Sequence, residues 1–301
     1  MKHLLSLKDL SQSQLLALLE LALKIKANPA EYRHALDGKN VVMLFEKPSL
    51  RTRVSFDIGI NKLGGHCVYM DQQNGALGKR ESVRDFAGNI SQWADAIVAR
   101  TFSHVTVEEL AEYATVPVVN ALSDLYHPCQ VLADLLTLKE VLGSLQGLKL
   151  AYIGDGNNVT NSLMLGAAIV GAQMTVICPE GHFPDGFAVT QAQQLAAVHG
   201  GSLLLTPDVS ALEGVDAVYT DTWISMGDST KLSDIAAKFA QYQVSKELME
   251  KYKVKYFMHC LPAHRGVEVT DEVMDGEGSL ILQQAQNRMH AQNAVLVTLL
   301  N

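Results

Sequence analysis

The chain has 301 residues, 48% of them hydrophobic and 19% charged, with a formal net charge of −8. That is an ordinary globular composition with apolar material for two cores, and the length implies about two domains. The acidic balance excludes nucleic acid as the main partner and a polybasic membrane contact. Cys67, Cys129, Cys178 and Cys260 form no C-x-x-C pair, so reduced thiols in a cytoplasmic protein are expected. The first residues lack the long apolar stretch of a signal peptide. No run of 18 apolar residues predicts a membrane span.

In chain order, the first predicted element is an apolar-rich helix over Leu15–Ile25, preceded by Ser11 and Gln14 at capping-box spacing. The run Val41–Phe45 reads as a buried strand, and Pro48 ends it. The following segment carries Val54, Phe56, Ile58, Ile60 and Leu63 and reads as a helix. Ser49 to Thr52 then lie at a helix N-terminus, where free N–H groups and the dipole favour anions. The order Ser49-Leu50-Arg51-Thr52-Arg53 is dense in donors suited to phosphate, although a capped helix with two exposed arginines would also explain it. Further strands are expected at His66–Met70, Ala96–Ala99 and Pro117–Asn120, and a helix at Gln130–Leu142. A second series follows at Lys149–Ile153, Met174–Cys178, Ser202–Leu205, Ala217–Thr220 and Tyr256–His259, before a last helix at Leu282–Leu299.

Repeated strand–helix alternation predicts an α/β protein of two doubly wound parallel-sheet domains joined by interdomain helices. The expected division is 1–134 and 135–282, with a C-terminal helix of about 283–301 packing back onto the first domain. Ligands in such folds bind beyond the carboxyl ends of strands, so the active site is expected in the cleft.

The unusual residues fall at those strand ends. Arg100 follows Ala99, and His127-Pro128-Cys129-Gln130 opens a helix, with proline in its favoured first turn. Gly154-Asp155-Gly156-Asn157-Asn158 begins like a dinucleotide fingerprint, but Val159 occupies the third glycine position, which argues against a nicotinamide cofactor. Asn157 and Asn158 read as helix caps, about evenly with a substrate-binding role for Asn158. Asp221 ends another strand and can pair with an ammonium group, and Ser225-Met226-Gly227 reads as a mobile loop. His259-Cys260-Leu261-Pro262 follows the last strand, and its spacing fits no common zinc pattern.

Together these segments resemble the ornithine branch of the aspartate/ornithine carbamoyltransferase family over essentially the whole chain. The shared marks are Ser49-Leu50-Arg51-Thr52-Arg53 and His127-Pro128-Cys129-Gln130. The ornithine marks are Asp221 through Gly227 and His259-Cys260-Leu261-Pro262. The resemblance implies transfer of a carbamoyl group from carbamoyl phosphate to the δ-amine of L-ornithine, giving citrulline and phosphate in arginine biosynthesis. It implies that Ser49, Leu50 (by its backbone), Arg51 and Thr52 hold the phosphate. Arg100, His127 and Gln130 would hold the carbamoyl group, with Arg100 also reaching the phosphate. Cys260 and Leu261 would line the reacting end, and Arg288 would close the carbamoyl phosphate site. Asn158, Asp221, Ser225 and Met226 would hold ornithine. Arg100, His127, Thr52 and Cys260 form the implied catalytic set, with no metal and no cofactor. A homotrimer with sites shared between subunits is implied as well.

Two departures stand out. Leu50 replaces the family's usual threonine, and Ala76 stands where a glutamine is common, although Gln72 or Gln73 could serve instead. Both remove a donor from the carbamoyl phosphate side and predict weaker affinity for it. A non-catalytic scaffold on the same fold is the competing expectation, and transfer to another amine such as putrescine is the rival within the enzyme class.

Overall fold

The computed structural model describes residues 1–71, 77–79, 81–224 and 231–301, with the side chain of Leu232 set aside. The expected mobile loop at 225–227, Ala76 and its possible substitutes Gln72 and Gln73 lie outside the described residues. The chain forms two compact units, Met1–Leu136 with Asn287–Asn301, and Thr137–Gln286.

In the first unit, α1 (Gln12–Ala27) starts with the expected capping box: Ser11 Oγ accepts from the Gln14 N–H, and Gln14 Oε1 accepts from the Ser11 N–H. After a single turn, α2 (Pro29–Tyr32), the chain enters β1 (Asn40–Phe45), whose last five residues are all buried. Next come α3 (Leu50–Lys62), β2 (His66–Met70), α4 (Val83–Ile90), β3 (Ala96–Arg100), α5 (His104–Tyr113), β4 (Val118–Leu122) and α6 (Pro128–Leu142). The strands form an all-parallel sheet in the order β2-β1-β3-β4. The order reverses between β1 and β3, where Phe45 lies in register with Arg100. The loops leaving β1 and β3 therefore diverge there and leave a crevice at the carboxyl edge.

The second unit repeats this plan with β5 (Lys149–Ile153), α7 (Asn158–Ile169), β6 (Gln173–Ile177), α8 (Gly186–His199), β7 (Ser202–Thr206) and β8 (Ala217–Thr220). Then follow α9 (Leu232–Phe239), α10 (Lys246–Lys251), β9 (Tyr256–His259), the turn α11 (Asp271–Met274) and α12 (Ile281–Leu300). Its parallel sheet runs β7-β6-β5-β8-β9, reversing between β5 and β8. The division between units falls inside α6 and inside α12, so residues 287–300 of α12 belong to the first unit. Among the described residues, no helix is long and apolar enough to cross a membrane.

The apolar residues of α3 split into two faces. Phe56, Ile60 and Leu63 are buried, whereas Leu50, Val54 and Ile58 are 76%, 43% and 46% exposed. The inward face packs tightly. A Cβ on Gly59 would overlap the Asn293 side-chain amide and lie 3.3 Å from Met289 Cγ. Glycine thus lets α3 approach the C-terminal part of α12, which carries Arg288. We expect Gly59→Ala to destabilise the protein by about 1–3 kcal/mol, the usual cost of forcing atoms into a packed contact. Denaturant titration checks this, and an unchanged midpoint would show that the contact yields.

Candidate active site

Site residues of the first unit gather at the carboxyl edge of its sheet. Ser49 caps α3: its Oγ accepts from the Thr52 N–H at 3.4 Å and donates to Thr52 Oγ1 at 3.0 Å. Thr52 Oγ1, itself buried, also accepts from Arg288 Nη2 at 2.9 Å. The other arm of the fork, Arg288 Nη1, donates to Gln130 Oε1 at 2.8 Å, and Gln130 Nε2 donates to Asp134 Oδ1 at 2.8 Å. One guanidinium therefore ties the start of α3 to the first turn of α6, from a position on α12.

His127 completes this side. Its carbonyl accepts from the Gln130 and Val131 N–H groups, so it is the N-cap of α6, as the His-Pro sequence implies. Burial pushes its imidazole well below the usual histidine range, and the charges of Arg288 and Arg100 push it further. His127 is therefore a neutral donor at physiological pH. Lys47 is lowered too, mainly by burial and then by the Arg100 charge. Buried positive charge beside neutral donors suits an anion whose charge moves during reaction.

Not every expected phosphate ligand points the same way. Arg51 is exposed on the first turn of α3, and Arg53 stacks over the Tyr69 ring at 3.8 Å. Leu50 presents its backbone N–H in that turn, while its side chain faces outward.

The second unit gathers its residues at the β5/β8 reversal and the neighbouring β9 end, where Thr220 is in register with His259. Asp221 is buried and uses both carboxylate oxygens: Oδ2 accepts from Asn157 Nδ2 at 2.8 Å, and Oδ1 from the Cys260 thiol at 3.0 Å. Asn157 is also the N-cap of α7, where its Oδ1 accepts from the Val159 and Thr160 N–H groups. Sequence spacing left the two asparagines equivalent. The structure makes Asn157 the cap and the partner of Asp221, and starts α7 at Asn158. Gly156 fits the packing rather than a nucleotide, since a Cβ there would collide with the Phe183–Pro184 backbone.

Asp221, His259 and Cys260 bring possible metal-ligand atoms within 4.8 Å of one another. Both His259 nitrogens are already engaged. Nδ1 accepts from the Leu261 N–H at 2.9 Å, which leaves Nε2 carrying the proton 3.3 Å from Glu268 Oε1. Glu268 also accepts from the His264 N–H, so this buried histidine and carboxylate fix the Cys260-Leu261 turn. Leu261 sits there at φ 60°, a costly conformation for a branched side chain. Trp223 is buried against Ile235 and Phe239 and serves packing. Ser225 and Met226 lie outside the described residues.

Residues 2–140 match the carbamoyl-P binding domain of aspartate/ornithine carbamoyltransferases, and residues 146–299 match their Asp/Orn binding domain. The chain belongs to the aspartate/ornithine carbamoyltransferase family. Within it, the ornithine carbamoyltransferase of Shewanella oneidensis is 74% identical over 99% of both chains. Among solved structures, the ornithine carbamoyltransferase from Pyrococcus furiosus superposes with a TM-score of 0.95 at 45% identity, covering 98% of this chain and 96% of that one. The anabolic ornithine carbamoyltransferase from Campylobacter jejuni gives 0.93 at 36% identity, with 99% of each chain covered. The protein is thus an enzyme of the ornithine carbamoyltransferase kind.

Because the folded His127 titrates below its unfolded value, the unfolded state binds more protons as pH drops below about 6.5. The stability that neutral His127 contributes is therefore complete above that pH and is lost as pH falls towards the folded value. We expect melting temperature to drop from pH 7 to pH 5, and to drop less in His127→Asn. Identical pH dependence in both chains would assign the acid sensitivity to other groups.

Proposed function

We propose that the enzyme transfers the carbamoyl group of carbamoyl phosphate to the δ-amine of L-ornithine, releasing citrulline and phosphate, and that it serves arginine biosynthesis in the cytoplasm. The observation that carries this reading is the cluster of buried Arg100 and Arg288 beside neutral His127 at the start of two helices. A dianionic leaving group and a forming oxyanion both need that environment. The anabolic character of the Campylobacter jejuni enzyme supports the biosynthetic direction.

In this mechanism Ser49, the Leu50 N–H, Arg51 and Thr52 bind the phosphate group, with Arg100 and Arg288 spanning it. Arg100, His127 and Thr52 donate to the carbamoyl oxygen, and Gln130 meets the carbamoyl amide. The δ-amine of ornithine attacks the carbamoyl carbon, the oxygen takes up negative charge, and the C–O bond to phosphate breaks. The amine's proton is released as citrulline forms. Removing one oxyanion donor typically costs about 3 kcal/mol of barrier. Holding two substrates in register supplies much of the remaining acceleration.

Asp221 is the receptor for the ornithine α-ammonium group. Asn158, Ser225 and Met226 hold the α-carboxylate side, and Cys260 and Leu261 line the reacting end. We expect Asp221→Ala to raise the ornithine KM far more than the carbamoyl phosphate KM in a citrulline assay. Equal losses for both substrates would remove Asp221 from this role, and putrescine turnover equal to ornithine turnover would reject the acceptor.

We infer a homotrimer with shared sites. The outward stripe Leu50, Val54 and Ile58 follows i, i+4, i+8 spacing along α3. A second copy of the chain would cover such a surface. We expect Ile58→Glu to convert a three-chain species in sedimentation into single chains with lower activity. A fully active monomer before any substitution would refute the assembly.

A further inference from the structure

We propose that Asp134 is a positioning residue for carbamoyl transfer: its carboxylate takes the Gln130 amide N–H and so turns the amide oxygen toward the carbamoyl group. The inference rests on the carbamoyl phosphate reading above and adds a residue to it. Asp134 is fully buried on α6, with Val131, Leu132, Ala133, Leu135 and Leu136 buried around it in sequence. A carboxylate in such a place is costly unless it is held by donors that require it.

The chemistry of the two neighbours fixes the orientation of Gln130. Arg288 can only donate, so the group facing its Nη1 at 2.8 Å must be the amide oxygen. With the oxygen turned to Arg288, the amide nitrogen faces Asp134 Oδ1 and donates to it at 2.8 Å. The i, i+4 spacing of Gln130 and Asp134 on one helix brings them together. The amide oxygen has two lone pairs, one used by Arg288 and one that can accept from a carbamoyl N–H. Arg100 and Arg288 can only donate, and the Gln130 amide oxygen offers an acceptor for the carbamoyl NH2 on this side of the site. A flipped amide would set N–H against N–H twice, once at Arg288 and once at the substrate.

An exchange of donor and acceptor tests this without changing shape. In Asp134→Asn, the new amide can donate to the Gln130 oxygen and release the flip. In Gln130→Glu, two carboxylates meet across one contact. The double variant Gln130→Glu/Asp134→Asn restores a donor facing an acceptor, with an acceptor oxygen still facing Arg288. Each single variant should raise the carbamoyl phosphate KM by about ten- to a hundred-fold, the span of one hydrogen bond to a charged group. The ornithine KM should stay unchanged, and the double variant should recover most of the loss. Losses that simply multiply in the double variant overturn the proposal, since residues that do not act through each other are additive. Both KM values rising together also overturn it. Thermal melts of every variant accompany the kinetics. If a single variant does not fold, a folded double variant with a still-raised carbamoyl phosphate KM is enough to reject the assignment. Failure of the underlying reading shows differently, as no citrulline from the unsubstituted chain, and takes the proposal with it.

Discussion

The first unit depends on how a buried guanidinium is satisfied. Arg288 cannot shed its proton, so its charge persists wherever the fold places it. Its fork meets two neutral oxygens, Thr52 Oγ1 and Gln130 Oε1, on two helices that are remote in sequence. Neutral acceptors orient the group without cancelling its charge. The charge therefore remains available to a ligand, and it is strong enough to help keep His127 neutral. Gly59 belongs to the same constraint, because a larger residue would hold α3 off the helix that carries Arg288.

The second unit solves the opposite problem with the same architecture. Asp221 is a buried carboxylate whose two oxygens accept from an amide N–H and a thiol. Asn157 does two jobs with one side chain, capping α7 through Oδ1 and steering Asp221 through Nδ2. Each unit therefore places a buried charged side chain near its strand-order reversal, Arg100 at the end of β3 and Asp221 after β8.

Much of this was legible in the chain. Buried parallel strands read as continuous apolar runs, so all nine strands were visible to within a residue or two. The helix starts at Ser11, Ser49 and Pro128 carried their own capping chemistry. What escaped depends on direction rather than identity. Adjacent asparagines have the same propensity, and only the path of β5 decides which one caps α7. The apolar residues of α3 predict a helix, and only the fold shows that Val54 and Ile58 point away from Phe56 and Ile60. Asp134 gave no signal because a lone acid in an apolar helix has no motif. Its meaning appears only when Gln130 and Arg288 are seen in one chain of bonds.

Leu50 shows how sequence and structure weigh differently at one position. In sequence it is a lost hydroxyl on the phosphate side. In the fold its N–H remains in the first turn of α3, and its side chain opens the outward apolar stripe. The two effects act on separate quantities. On the proposed mechanism, loss of a hydroxyl weakens ground-state binding of the anion, since the donors it aims at the oxyanion are Arg100, His127 and Thr52. An added apolar surface on α3 strengthens burial against another chain by about 25 cal/mol per Å² covered. On the proposed reading, affinity for one substrate and cohesion of the proposed assembly are set by a single side chain, because α3 has its N-terminus at the carboxyl edge of the sheet and its outer face in solvent.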